Sequence, residues 1–169
     1  MPKVVAICGK LCSGKSCYAK EIKNEYNAVI LSVDEATYDL IENTQGEFYD
    51  AFAERVKKYL MKKSVETVNA GCNVILDWGF WTAAERKLTN DFFDMHGVEV
   101  EWHYIDVDDL TWKELIKLRN SQVNAGSCES DFYVDNALLN KTISLFEIPS
   151  RAEIDVWVNK KNALTYRKG

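Results

Sequence analysis

No stretch of about 18 consecutive apolar residues occurs anywhere in the chain, which excludes a membrane-spanning helix at the level of sequence. Paired CxxC spacing is missing too. The cysteines number five (Cys8, Cys12, Cys17, Cys72 and Cys128), an odd count with three of them crowded around one loop. Both facts argue against a disulfide framework and against a zinc site. The only two histidines, His96 and His103, are isolated and belong to no metal-ligand spacing, so they are read as structural or solvated. Internal repeats and low-complexity tracts are absent, and with them any sign of a repeat array or a second domain. The opening MPKVVAIC has neither a charged leader nor a long apolar run. A cytoplasmic protein with reduced thiols and no membrane partner is therefore expected.

What is present fits one folded unit spanning residues 1–169. A chain of 169 residues with 47% hydrophobic content is long and apolar enough to bury a sizeable core. Its 21 basic and 26 acidic side chains leave a net charge of −5, which disfavours nucleic acid and anionic membranes as partners of the surface as a whole. A local basic pocket is compatible with that balance.

Strand and helix signals alternate along the chain. Val4 to Cys8 is a continuous apolar run, as in a strand buried on both faces, and Gly9 ends it. Tyr18, Ala19, Ile22 and Tyr26 then recur at helical spacing. A second β-branched run, Ala28 to Val33, is closed by Asp34 and Glu35. Phe52, Val56, Tyr59 and Leu60 stripe a long helix that begins near Gly46 or Glu47 and stops at Gly71. Asn73 to Leu76 is the third strand. Thr82 and Glu85 form a capping box for the next helix, which Gly97 closes. Val98, Val100, Trp102 and Tyr104 alternate with Glu99, Glu101 and His103, so the fourth strand is expected toward the sheet edge. Thr111 and Glu114 make another box, opening a helix that ends near Asn120, and Ser121 to Asp131 reads as irregular. Asp135 caps a helix through Phe146, Pro149 breaks the chain, and Ile154 to Val158 is the last strand. Five strands alternating with helices predict a three-layer α/β/α fold with a mainly parallel sheet.

The chemistry-bearing motif lies between the first strand and the first helix. Gly9, Lys10, Leu11, Cys12, Ser13, Gly14, Lys15 and Ser16 fit GxxxxGK[ST] at every fixed position. Glycines let successive backbone N–H groups turn toward phosphates, and the positive end of the following helix adds to the attraction. Lys15 reaches the β and γ phosphates in this reading, and the Ser16 hydroxyl takes the Mg²⁺ position. The cofactor expected here is ATP with Mg²⁺, held by Gly9 through Cys17. A glycine turn with a solvated lysine is the plainer alternative. Cys12 is read as a small filler residue, with a reactive thiol at a helix N-terminus as its alternative. Asn159-Lys160-Lys161 begins like a guanine-reading NKxD segment but lacks the aspartate.

Ligands of open parallel sheets sit beyond the carboxyl ends of the strands, which makes acidic residues there candidates for chemistry. Asp77 ends the run Asn73-Val74-Ile75-Leu76-Asp77 as a Walker B carboxylate does and is assigned to the metal with Ser16. Asp34, in Ser32-Val33-Asp34-Glu35, is the expected general base for a hydroxyl acceptor. Their alternatives are a strand-end turn residue and a helix cap. Asp106 occupies a similar place and is read as a loop residue.

At these positions the chain resembles the AAA-type ATP-binding proteins related to zeta toxin, chloramphenicol phosphotransferase and polynucleotide 5′-kinase. The likeness lies in the ICGxxxSGKS loop at Ile7 to Ser16, LSxDE at Leu31 to Glu35, VILDWGFWTAAER at Val74 to Arg86, LRN at Leu118 to Asn120, and Asp131 to Ser150. The resemblance implies a kinase-type P-loop fold with a lid over ATP, approximately residues 119–134, and an acceptor bound near the segment after strand two. Arg119 is read as the lid cation on the phosphates, because a guanidinium bridges phosphate oxygens as a pre-shaped fork, with a solvated helix-end arginine as its alternative. Relatives carry two arginines one helical turn apart before the lid, whereas here Leu115 stands four residues before Arg119, with Lys113 and Lys117 nearby. Polynucleotide kinases carry an arginine three residues after the base, where this chain has Thr37.

Arg86 is read either as a structural ion-pair residue or as a phosphate contact. Trp78, Phe80 and Trp81 serve either core packing or an acceptor pocket. The leading expectation is an ATP-dependent phosphotransferase acting on a hydroxyl of an unidentified small molecule, with Lys15, Asp34 and Arg119 catalytic. A nucleotide-binding regulatory ATPase or switch is the alternative, followed by a polynucleotide 5′-kinase. Oligomeric state stays open.

Overall fold

The structure is a computed structural model that describes residues 1–41, 47–126 and 133–160. Strand β1 (Val4–Cys8) leads through a loop into helix α1 (Lys15–Ile22), and β2 (Ala28–Ser32) is followed at once by α2 (Val33–Leu40). Helix α3 (Glu47–Asn69), strand β3 (Asn73–Asp77), helix α4 (Ala83–Met95) and strand β4 (Val100–Asp106) come next. Helices α5 (Asp109–Asn124) and α6 (Asn136–Leu145), a 3₁₀ turn at Arg151–Glu153 and strand β5 (Val156–Asn159) complete the order. All four strand pairings are parallel, and the sheet order is β2-β3-β1-β4-β5.

The period-two alternation of β1 divides the core. Val4, Ala6 and Cys8 face one side with Val74, Leu76, Trp102 and Tyr104, where α3 contributes Val56, Leu60 and Val68 and α4 contributes Phe93. Val5, Ile7, Ile75 and Ile105 face the other, against Ala19 and Ile22 of α1 and Trp112, Leu115 and Ile116 of α5. With β1 central and fully buried, the loop at its carboxyl end is carried by the most rigid part of the sheet.

Four expectations are corrected. Asp34 does not close a strand: Ser32 is the N-cap of α2, accepting from the Glu35 N–H at 3.3 Å, and Asp34 sits in the first helical turn. Helix α5 starts at Asp109 because Asp108 outcompetes Thr111 as cap, accepting from the N–H groups of Leu110 and Thr111, each at 3.0 Å. That helix continues to Asn124, so the first part of the stretch read as irregular is helical. The fourth strand is not at an edge but lies between β1 and β5.

The polar residues of β4 are satisfied internally, which removes the need for water. Register pairs Val5 with Glu101 and Ile7 with His103, placing both polar residues on the α1 side of the sheet. There Glu101 accepts from Lys3, from the Tyr26 hydroxyl at 2.5 Å and from His103 Nε2 at 2.7 Å, while the Tyr18 hydroxyl donates to His103 Nδ1 at 2.9 Å. Burial raises the Glu101 pKa, but the hydrogen bonds from Lys3, Tyr26 and His103 outweigh it and hold the carboxyl at about 2. Burial likewise holds the His103 imidazolium down against the pull of Glu101, so His103 is neutral at neutral pH.

Both depressed values act in one direction. The stability Glu101 contributes is complete above its ordinary value of 4.5 and is lost as the pH falls toward about 2, while His103 begins to oppose folding below its ordinary 6.5. Urea unfolding at pH 6 and pH 3 should therefore show Glu101→Gln less sensitive to acid than the native chain, by on the order of 2 kcal/mol. An equal acid loss in both proteins would remove this network from the account.

Candidate functional site

The loop after β1 has the conformation that its glycines allow. A β-carbon at Gly9 would stand 2.8 Å from Ser13 Oγ and 3.1 Å from the Ile105 carbonyl oxygen, a close approach that only glycine tolerates. Gly14, the N-cap of α1, has φ +89° in the left-handed region. No side chain caps α1, so the N–H groups of its first turn, at Lys15, Ser16 and Cys17, are directed out of the helix toward an anion's place. Lys15 folds back over the loop, donating to the carbonyls of Gly9 at 3.2 Å and Lys10 at 2.8 Å. Burial lowers its pKa, opposed by the charges of Asp77, Cys12 and Asp34 and reinforced by Arg119.

Helix α5 straps the loop from outside. The Trp112 indole N–H donates to the Leu11 carbonyl at 2.6 Å, with Leu11 itself packed in the core, and Lys10 Nζ pairs with Asp109 at 3.0 Å. Arg119 Nη1 lies 3.3 Å from Cys12 Sγ, and the arginine is only 8% exposed. Cys12 adopts φ +58°, a strained value for a residue with a side chain. Ser13 turns its fully buried hydroxyl beneath the loop, and its N–H bonds the Lys10 carbonyl at 3.1 Å. Its part is thus loop shape. Trp112 is the supporting residue that sequence reasoning missed, since its partner is a backbone carbonyl a hundred residues away.

Asp77 is buried at the end of β3. Burial raises its pKa, while a hydrogen bond from the Ser16 side chain and the charge of Lys15 work against that rise. The structure thus joins the two residues assigned to the metal. One hydroxyl and one carboxylate, beside a cradle for phosphate oxygens, fit Mg²⁺, an ion that keeps several waters and takes few protein ligands. Among the described residues no group of three or more His, Cys, Asp or Glu side chains could hold a metal ion alone.

Asp34 is exposed on the first turn of α2, and its charge acts on both Lys15 and the Tyr49 phenol. Thr37, on the next turn, is buried and donates to the carbonyls of its own helix, Val33 at 2.8 Å and Asp34 at 3.0 Å. Gly9, Lys10, Leu11, Cys12, Ser13, Gly14, Lys15, Ser16, Cys17, Asp34, Asp77 and Arg119 are accordingly gathered at one end of the sheet.

Other candidates take structural places. Leu115 is buried in the core with Trp112 and Ile116, so its side chain cannot serve the phosphates. Lys117 is an exposed partner of Glu114. Arg86, 2% exposed, donates to Glu153 at 3.0 Å and to the carbonyls of Phe80 at 3.2 Å and Glu147 at 3.1 Å. It pins the segment after β3 and touches no phosphate position. Trp78 and Phe80 belong to the core, while Trp81 is half-buried. Asp106 accepts from the Trp157 indole at 3.0 Å, tying β4 to β5. Cys8, Cys12, Cys17 and Cys72 are free thiols, and Cys128 lies outside the described residues, as does 127–132 of the expected lid.

A family model described as an AAA domain matches residues 4–149, from the start of β1 to the end of the segment pinned by Arg86. The chain belongs to this AAA-domain family. Solved structures with the same fold include a sugar kinase from a Janibacter species, at 14% identity and TM-score 0.65, covering 98% of this chain and 90% of that one. Kti12 of Chaetomium thermophilum, in complex with ADP-AlF₃, matches at 13% identity and TM-score 0.67, with 98% and 94% covered. The APS kinase of Mycobacterium tuberculosis, in complex with AMPPNP and APS, matches at 17% identity and TM-score 0.65, with 95% and 90% covered. No curated protein matches the chain. This AAA domain shares its fold with these kinases, and no described helix of it is long and apolar enough to cross a membrane.

Proposed function

We propose that this protein is an ATP-dependent kinase that transfers the γ-phosphate to a hydroxyl of a small molecule. One observation carries the reading: the charge of an exposed carboxylate, Asp34, acts on Lys15 of the phosphate loop, on which the charge of Asp77, hydrogen-bonded by Ser16, also acts. The loop N–H groups and Lys15 hold the β and γ phosphates, and Ser16 and Asp77 hold Mg²⁺, which neutralises phosphate charge when bound. Asp34 accepts the acceptor's hydroxyl proton as its oxygen bonds the γ-phosphorus. The bond from that phosphorus to the β–γ bridging oxygen breaks, and ADP leaves. Arg119, already on the loop, supplies a planar donor fork to the transferring group. The nucleotide-bound neighbours, Kti12 with ADP-AlF₃ and APS kinase with AMPPNP, support ATP as the phosphate donor. Thr37, turned into its own helix, offers no cation to an acceptor's phosphate, which speaks against a nucleic-acid end as substrate.

A second reading, a slowly hydrolysing switch that signals to a protein partner, is favoured by Leu115. Its burial leaves Arg119 without the second arginine of the related kinases. Purified protein given ATP, Mg²⁺ and a panel of hydroxyl compounds separates the two. The kinase reading expects at least one compound to raise ADP release about tenfold or more and to appear as its phosphate ester. Hydrolysis that no acceptor stimulates would give the second reading the case.

A further inference from the structure

We propose that the acceptor is an aromatic alcohol carrying a second, uncharged oxygen, and that the Trp81 indole N–H recognises that oxygen. The proposal rests on the kinase reading above and narrows its acceptor. It starts from the segment that follows Asp77. Phe80 is held in the left-handed region at φ +46°, a costly conformation for a residue with a side chain. Trp81 folds back on Gly79, where a β-carbon would stand 2.6 Å from both Cδ1 and Cε2 of the indole. The ring therefore lies against the second residue after the metal carboxylate, and only glycine leaves it room there.

Among the described residues the Trp81 Nε1–H is buried with no acceptor, although the side chain as a whole is half-buried. The main chain around it is fully engaged. The Trp81 N–H donates to Glu85 at 3.0 Å, its carbonyl takes the Glu147 N–H at 2.7 Å, and Arg86 holds the Phe80 carbonyl at 3.2 Å. Three partners thus fix the backbone, and the one donor left over is on the ring. A buried donor without a partner is costly, as is the backbone of Phe80, and the two fall on adjacent residues close behind a metal ligand. Rotation of the ring off Gly79 satisfies the donor by presenting it to an oxygen of a bound molecule.

Asp34 sets where that molecule lies. Strands β2 and β3 are neighbours with Ser32 opposite Asp77, so α2 and the segment to Trp81 leave the sheet side by side. Tyr38 follows Asp34 by four residues on the same face of α2 and is 48% exposed. A hydroxyl at Asp34 thus has an exposed aromatic ring one helical turn away, which suits an aryl group attached to the alcohol. Charge narrows the class further. No lysine or arginine occurs from Asn24 to Glu54, whereas Asp34, Glu35 and Asp39 are all exposed on α2. Lys57 of α3 is already bound by Glu54 and Glu85. A carboxylate or phosphate on the acceptor meets repulsion from α2 with no cation on that helix to offset it.

The test adds four probes to the panel of hydroxyl compounds, each with a primary hydroxyl. Styrene glycol has the ring and a second hydroxyl, phenethyl alcohol lacks that hydroxyl, tropate has a carboxylate in its place, and ethylene glycol lacks the ring. With ATP and Mg²⁺, native protein should phosphorylate styrene glycol with a kcat/KM about tenfold above that for phenethyl alcohol, the worth of one hydrogen bond. Tropate should fall below styrene glycol by at least about a hundredfold, from like-charge repulsion, and ethylene glycol should also be the poorer substrate. In Trp81→Phe the advantage of styrene glycol over phenethyl alcohol should vanish, while the melting temperature is no lower than native because an unpaired donor has gone. An advantage that is missing from native protein or survives in Trp81→Phe overturns the role of Trp81, and a clearly lowered melting temperature returns the indole to core packing. Tropate or ethylene glycol used as well as styrene glycol overturns the acceptor class. Phosphorylation of other panel compounds but not of styrene glycol brings down this inference alone. If no compound of any class is phosphorylated, the kinase reading falls with it.

Discussion

Lys15→Ala should lower ATP affinity by about 100-fold, measured by calorimetry with Mg²⁺ present, while the unliganded protein keeps its melting temperature to within a few degrees. The first expectation follows from the number of contacts at stake. Lys15 would give up two charge-assisted bonds to phosphate oxygens, and each such bond contributes roughly 1.5 kcal/mol or more, so a loss near 3 kcal/mol, or two decades, is the minimum. The second follows from the free state. Without nucleotide the ammonium donates to the carbonyls of Gly9 and Lys10, and burial lowers its pKa. A lowered pKa means that the fold disfavours the charged form, so removing the ammonium relieves a desolvation penalty as it breaks two hydrogen bonds. The opposing effects nearly cancel in stability but not in binding. ATP affinity within threefold of native would show that the loop does not hold a triphosphate as described.

Asp34→Asn should leave ATP affinity within about threefold of native and reduce acceptor-stimulated transfer by roughly 1,000-fold, the middle of the range for a general base. The substitution keeps size and shape, and the side chain is exposed on the first turn of α2, away from the core. Folding is therefore preserved. Losing a negative charge near the γ-phosphate also removes a repulsion, so any change in ATP binding should be toward tighter binding. The separation of kcat from nucleotide affinity is the diagnostic feature: a residue that only shaped α2 would move both or neither. Transfer retained within tenfold of native would relieve Asp34 of its proposed role, and positioning by the loop and Arg119 would have to account for the chemistry.

These two residues also show how unevenly the site was legible. Lys15 stands in an eight-residue pattern whose chemistry is almost wholly backbone chemistry, and its strand and helix flanks were readable from β1 and α1. Asp34 was found for its place after the second strand, yet its helix was not anticipated. The run Ala28 to Val33 looks extended throughout, and only the Ser32 cap ends it early. The polar residues of β4 misled in the opposite direction. Glu101 and His103 alternate as if facing water, but Lys3 and Tyr26, distant in sequence, bring them the partners that permit burial. Arg86 had two readings, and the carbonyls of Phe80 and Glu147 decide for the structural one.

The sequence by itself determined a parallel α/β domain with a phosphate-binding loop, because strand periodicity, helix caps and the Gly9 to Ser16 turn are set by neighbours a few residues apart. Only the tertiary structure decided what surrounds that loop. Trp112 reaches Leu11 across 101 residues and Arg119 reaches Cys12 across 107, while Lys160 arrives at Gly14 from the last strand. Those meetings depend on the sheet order β2-β3-β1-β4-β5, which arises from packing two apolar faces at once and leaves no local mark in the chain.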